Sequence, residues 1–314
     1  MCLLPRRVRV MLCLFSFSSQ GVFFDSRRDF KTHLEKMIKS LVIPYLCLGF
    51  VVYVFKMICL IIEGERSIYV FVHEFARFLY ERKYMTLWFI TTLFGVQLLF
   101  WIIKRFCGKW WMLVVVLCYL LGICYYATIN MPLIWNLDVS LIAVFFFGMG
   151  YVYYSSGILE EILFKKKRWS IVLLVSIIVK FIAQRKSFEI TGEQFSMFQN
   201  AYGFAPLTLL GNIADVLIVL IIAHIFSVRA IKYLGEYSLL YFAWHNELFF
   251  IPMQNYLFTS DIWKENVIMM VLEDSIIFGV LISVITLLDR TIRKSRLCFV
   301  LGKEFKKKAE VQNV

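Results

Sequence analysis

The chain has 314 residues, 61% of them hydrophobic and only 18% charged, with a formal charge of +12. A soluble protein of this length needs far more charged surface to cover itself, so a water-soluble globular fold is excluded. The apolar residues come in long continuous runs instead of short alternating strands, which excludes a β-barrel as well.

Crossing a hydrocarbon core takes about 20 mostly apolar residues per helix. The first apolar run, MLCLFSFSSQGVFF at 11–24, is too short for that and follows Arg6, Arg7 and Arg9. It resembles a signal peptide, but Gln20 and the bulky residues after it make a poor cleavage site. Longer windows follow at 41–62, 84–103, 109–127, 137–155, 204–227, 233–251 and 267–288, with a shorter one at 169–183. The pattern predicts an all-α, polytopic transmembrane helical bundle of about eight full spans plus a partial N-terminal helix. It divides into an atypical N-terminus at 1–20, a membrane domain at 21–290 and a basic tail at 291–314. The pieces between spans are too short for a core of their own.

The basic excess has two readings, nucleic acid or membrane topology, and its distribution decides between them. With residue 25 onward on the cytoplasmic side, every second connection and the tail together hold 22 lysines and arginines, and the opposite connections hold seven. Lysine and arginine resist translocation, so one topology absorbs the charge. The C-terminus is then cytoplasmic and no nucleic-acid partner is needed. The eight cysteines show no C-x-x-C or Cys/His ligand spacing, so neither a disulfide framework nor a metal site is expected.

Ionisable side chains inside the windows need a reason, because each costs about 2.5–3.5 kcal/mol at a helix centre on insertion scales. Lys56 and Lys180 lie near helix ends, where their stems can snorkel to the interface. Asp138 opens the 137–155 window beside Trp135, and is read either as a helix-start carboxylate or as a site residue. Asp215 and His224 share one window but lie nine residues apart and face different sides. Glu273 and Asp274 adjoin in the last window.

The densest polar cluster is KYLGEYSLLYFAWHNELFF at 232–250. Ser238, Tyr241 and His245 follow 3- and 4-residue spacing and share a helix face, flanked by Trp244 and Glu247. A histidine passes protons near neutral pH, and a hydroxyl-rich face can orient it or hold a polyol. The same residues would also serve as an interhelical hydrogen-bond patch.

Read in order, GVFF, KMIKSLVIPYL, LWFITTLFGVQLLF, NMPLIWNLDVSLIAVFFFGMGYVYY and YLGEYSLLYFAWHNELFF resemble the acyltransferase 3 family of integral-membrane O-acyltransferases. The branch named for fucose 4-O-acetylase is the most similar, over about residues 21–255. The resemblance implies a bundle that moves an acyl group, usually acetyl, from acetyl-CoA to a hydroxyl of a surface or exported glycan, in a bacterial cytoplasmic membrane. The family pattern carries over onto Trp88, Asp138, Ser238 and His245. Together with the 232–250 cluster this makes His245 the candidate catalytic residue, read also as a second polar site for substrate or donor, and Trp88, Asp138, Ser238, Tyr241, Trp244 and Glu247 candidates for substrate. Arg27, Arg28, Lys36 and Lys39 are candidates for the phosphates of the donor.

The family's catalytic histidine belongs to a first span, in a Gly-His-Ser-like stretch, and nothing before residue 24 here contains a histidine. The codons TTT-TCA-TCT-CAG-GGG would encode Phe17–Gly21, and read two bases later they give the family's Phe-Ile-Ser-Gly. Residues 1–20 are therefore expected to be an out-of-frame or misassigned start. A catalytically inactive family member is the alternative reading, and a glycan transporter or flippase the other.

Overall fold

A computed structural model describes residues 24, 29–80, 87–129, 131, 133–156, 168–193, 195–197, 199, 201–225, 240, 243–256 and 267–301. Among them the architecture is all-α, and the only strand-like pairing is an isolated bridge between Ser196 and Ala201. Among the described residues six helices are long and apolar enough to cross a membrane. Of the two other predicted windows, 169–183 falls in a helix described below, and 233–251 is described only at residues 240 and 243–251. The contacts divide the chain into two units, one of residues 1–3, 30–91 and 230–314 and one of residues 4–29 and 92–229.

In the first unit, α1 runs from Phe30 to Ile62, so the basic segment and the first long window form one continuous helix. It widens into a π turn at Ile38–Val42. Pro44 explains the widening, because it lacks an N–H and its ring crowds the carbonyl one turn back. A turn at 63–67 leads into α2, Ile68–Tyr80, which packs along α1. This helix is inverted: Glu74 and Phe78 face inward, while Ile68, Tyr69, Val72 and Tyr80 are exposed. Sequence windows pass over α2 because its 13 residues are too few to span.

The second unit is built on α3 (Trp88–Phe106) from Thr92 onward, α4 (Trp111–Thr128) and α5 (Leu137–Ser156), followed by α6 (Trp169–Thr191) and α7 (Ala205–Ile225). Helices α4 and α5 pack closely because Gly122 has no side chain where Ile142 comes in. Aromatic rings lock the ends of α3 and α5: Phe100 and Phe147 lie 5.0 Å apart, and Phe24 stands edge-on to both. Lys104 caps the cluster with its ammonium 4.4 Å from the Trp111 ring and 4.6 Å from the Tyr151 ring.

Helix α6 contains the predicted 169–183 window. Lys180, Arg185 and Lys186 keep it from qualifying as a span on composition. Up to Ile182 its outward residues are mostly apolar, among them Ile171, Leu174, Phe181 and Ile182, whereas Arg185, Lys186 and Glu189 are exposed near its end, and its buried residues are small or polar: Ser176, Ala183 and Ser187.

Back in the first unit, a π turn His245–Phe250 continues into α8, Ile251–Tyr256, and packs against α1 and α9 (Val267–Lys294). A short 3₁₀ segment, Arg296–Leu301, folds back onto α1. Near the end of α9, Asp289 is buried and held in a fork by Arg293, at 2.5 Å and 3.0 Å.

The structure corrects the expectation for the two intramembrane lysines. Neither simply snorkels. Lys56 pairs with Glu74 of α2 at 2.5 Å, and Lys180 pairs with Asp215 of α7 at 2.5 Å. Each lysine lies beside a helix carrying a carboxylate, and pairing removes the cost of an isolated charge in an apolar setting.

Candidate functional site

In the second unit the candidate residue Asp138 sits just past a strained turn. Trp135 and Asn136 are the two non-glycine residues with left-handed backbones among those described, at φ 54° and 56°. Such conformations cost of order 1–3 kcal/mol each and persist only where the surroundings over-determine them. Three contacts do so here. Trp135 stands edge-on to Phe94 at 5.7 Å. Asn136 is buried, and its backbone N–H donates to Leu133 O at 3.3 Å. The Ser140 hydroxyl lies 3.0 Å from Asn136 O and 3.1 Å from Thr92 O, which joins the turn to α3.

That joint needs Gly95. A Cβ there would come within 2.5 Å of Ser140 Oγ. The turn places Asp138 in the first turn of α5, where the open backbone N–H groups and the helix dipole favour a carboxylate. Asp138 is 4% exposed. A buried carboxylate at a helix start is equipped to accept a hydrogen bond from a hydroxylated ligand.

In the first unit, Trp244 is buried and its indole Nε1 donates to Leu48 O of α1 at 3.4 Å. His245 follows as the first residue of the π turn and is half-buried. The π turn changes the spacing after His245, so the 3- and 4-residue pattern read along 238–245 does not extend past it. Trp88 opens α3, buried and edge-on to Phe89 at 6.3 Å, and its carbonyl accepts from Thr91 Oγ1.

Lys36 and Lys39 are exposed on α1. Ser238, Tyr241, Arg27 and Arg28 lie outside the described residues, and Glu247 is described in its backbone alone, as are Asn246 and His224. The candidates are thus distributed over both units: Trp88, Trp244, His245, Lys36 and Lys39 in the first, and Asp138 in the second.

Two polar groupings were missed by reasoning from motifs. One is Glu74, 7% exposed, with Lys56 and Arg77 on its two oxygens at 2.5 Å and 2.6 Å. Burial would raise this carboxyl, but hydrogen bonds and charge from Lys56 and Arg77 outweigh burial and hold it below the ordinary value. The other is the seam between α6 and α7. The signal for the seam was present in the sequence: Ser176, Lys180, Gln184, Ser187 and Thr191 recur every three or four residues. Among the described residues no group of three His, Cys, Asp or Glu side chains could hold a metal ion.

A family profile described as an acyltransferase domain matches residues 4–290. The match extends beyond residues 21–255 in both directions and takes in every helix described here up to α9. No curated protein and no solved structure matches the chain.

Proposed function

The chain belongs to the acyltransferase 3 family, and from that premise we propose that it moves an acetyl group from acetyl-CoA to a hydroxyl of a cell-surface or exported glycan in a bacterial cytoplasmic membrane. The match over residues 4–290 carries this reading. The apolar helices agree with a multi-pass membrane acyltransferase.

In the transfer, the acceptor oxygen attacks the thioester carbonyl carbon and the carbon–sulfur bond breaks. The hydroxyl proton goes first to a base and then to the departing thiolate. His245 is the base proposed here, since a neutral imidazole accepts a proton near pH 7. Ser238, Tyr241 and Glu247, near His245 in sequence, are proposed as polar contacts to the acceptor, and Asp138 in the second unit is proposed by itself as a carboxylate able to take a hydrogen bond from a sugar hydroxyl. Trp88 and Trp244 supply aromatic surface suited to a sugar ring. Lys36 and Lys39, exposed on α1, suit the phosphates of coenzyme A, with Arg27 and Arg28 beside them in sequence.

The test incubates membranes containing the protein with radiolabelled acetyl-CoA and a glycan acceptor. Label appearing in the glycan, and lost in His245→Ala, supports the reading. Absence of transfer across a panel of acceptors sinks it.

A further inference from the structure

Helices α6 and α7 run antiparallel in a constant register. Ser187 Oγ meets Thr208 Oγ1 at 3.0 Å, Gln184 stands against Gly211, and Lys180 and Gln184 reach Asp215 at 2.5 Å and 3.3 Å. Asn212 therefore occupies the rung between two that are tied. The α6 residue opposite in this register is Ala183, which has no polar side-chain atom to offer.

Asn212 is 1% exposed, and its amide nitrogen and amide oxygen both lack a hydrogen-bond partner among the described residues. Gln184 Oε1 is likewise buried without one. An amide left in this condition between two apolar-faced helices is a costly choice, and a leucine of similar volume would avoid the cost.

We propose that Asn212, Gln184 and the adjoining Lys180–Asp215 pair form a buried receptor for a hydroxyl oxygen. An O–H group donates one hydrogen bond and accepts two. It can donate to Asn212 Oδ1 or Gln184 Oε1 while accepting from Asn212 Nδ2. A carbonyl or ether oxygen would leave both amide oxygens unpaired, and an ammonium would leave the amide nitrogen unpaired. A water and a polyol hydroxyl share this chemistry, and the site has the two or more polar partners that a buried oxygen requires. None of its residues is among the proposed catalytic or substrate residues, so it stands or falls apart from the acyl-transfer reading.

The experiment uses the full chain in lipid nanodiscs, as wild type and as Asn212→Leu. One arm labels the protein with X-ray-generated hydroxyl radicals in H₂¹⁸O and reads ¹⁸O incorporation in peptides covering residues 205–225. The other follows thermal unfolding in D-glucose and in glycerol. A bound water gives ¹⁸O incorporation that falls at least fivefold in the variant. A polyol hydroxyl gives a melting-temperature rise with glucose or glycerol in the wild type that the variant lacks. Signals absent from both proteins, or equal in both, overturn the proposal. Should Asn212→Leu fail to accumulate, Asn212→Ala is read in the same two arms.

Discussion

Lys180 and Asp215 face each other across α6 and α7 with Nζ 2.5 Å from Oδ1, and the carboxylate is wholly buried. Gln184 adds a hydrogen bond to the second carboxylate oxygen at 3.3 Å. The pair neutralises the cation in the middle of α6 from within the unit, while Arg185 and Lys186 stay exposed near its end beside Glu189.

Removing one partner leaves a buried charge uncompensated. Lys180→Ala and Asp215→Ala are each expected to destabilise the protein by about 3–5 kcal/mol, and the double change to leucine and methionine by much less. Thermal unfolding in detergent checks this, with the Lys180→Ala, Asp215→Ala double variant closing a double-mutant cycle. Additive effects would show that the pair is not coupled.

Close approach at Gly95 makes an opposite pair of glycine predictions. Gly95→Ala puts a methyl 2.5 Å from Ser140 Oγ and 3.2 Å from Leu137. The expected loss is about 1–3 kcal/mol, with the strained turn at Trp135 disturbed. Gly279→Ala meets nothing within 4 Å on α9. It is expected to gain about 0.5–1 kcal/mol from reduced backbone freedom. Equal melting temperatures for the two variants would contradict the packing described for α3 and α5.

Acid should loosen α2 from α1. The Glu74 carboxyl is held below its ordinary value of 4.5 by Lys56 and Arg77 against the opposing effect of burial. A depressed carboxylate contributes stability that is present above the unfolded value and is lost as pH falls through the folded one. The melting temperature of the wild type should therefore drop more steeply below about pH 4.5 than that of Glu74→Gln. The variant starts lower at pH 7. Parallel curves would remove Glu74 from the acid response.

The proposed roles separate kinetically. His245→Ala should lower kcat by about 10²–10⁴-fold if its imidazole is the base. Asp138→Asn keeps the shape and removes the charge, so a rise in KM for the glycan is expected, with acetyl-CoA unaffected. Lys36→Ala with Lys39→Ala should raise KM for acetyl-CoA alone. Steady-state assays in both substrates distinguish these outcomes, and a uniform loss in all three would indicate a folding defect instead.

Much of this was legible along the chain. Continuous apolar windows announce spans because a membrane helix must satisfy its own backbone and turn apolar side chains to lipid, and both requirements are local. The apolar window at 41–62 and the position of Asp138 at the start of α5 were readable for the same reason, whereas the continuation of α1 back to Phe30 was not. Helix α2 was not, since its inverted face is meaningful only when Lys56 stands beside Glu74. The left-handed backbones of Trp135 and Asn136 carry no glycine to announce them.

Composition and order thus determined the class of the protein and the membrane as its solvent, both of which depend on side-chain polarity summed over a window, while its family rested on the resemblance of five short motifs in order. Tertiary structure decided what each buried charge does. Lys56 and Lys180 look alike in sequence, and each is defined by a carboxylate 18 or 35 residues away along the chain. Pairing in an apolar interior depends on distance in space, which no local pattern records.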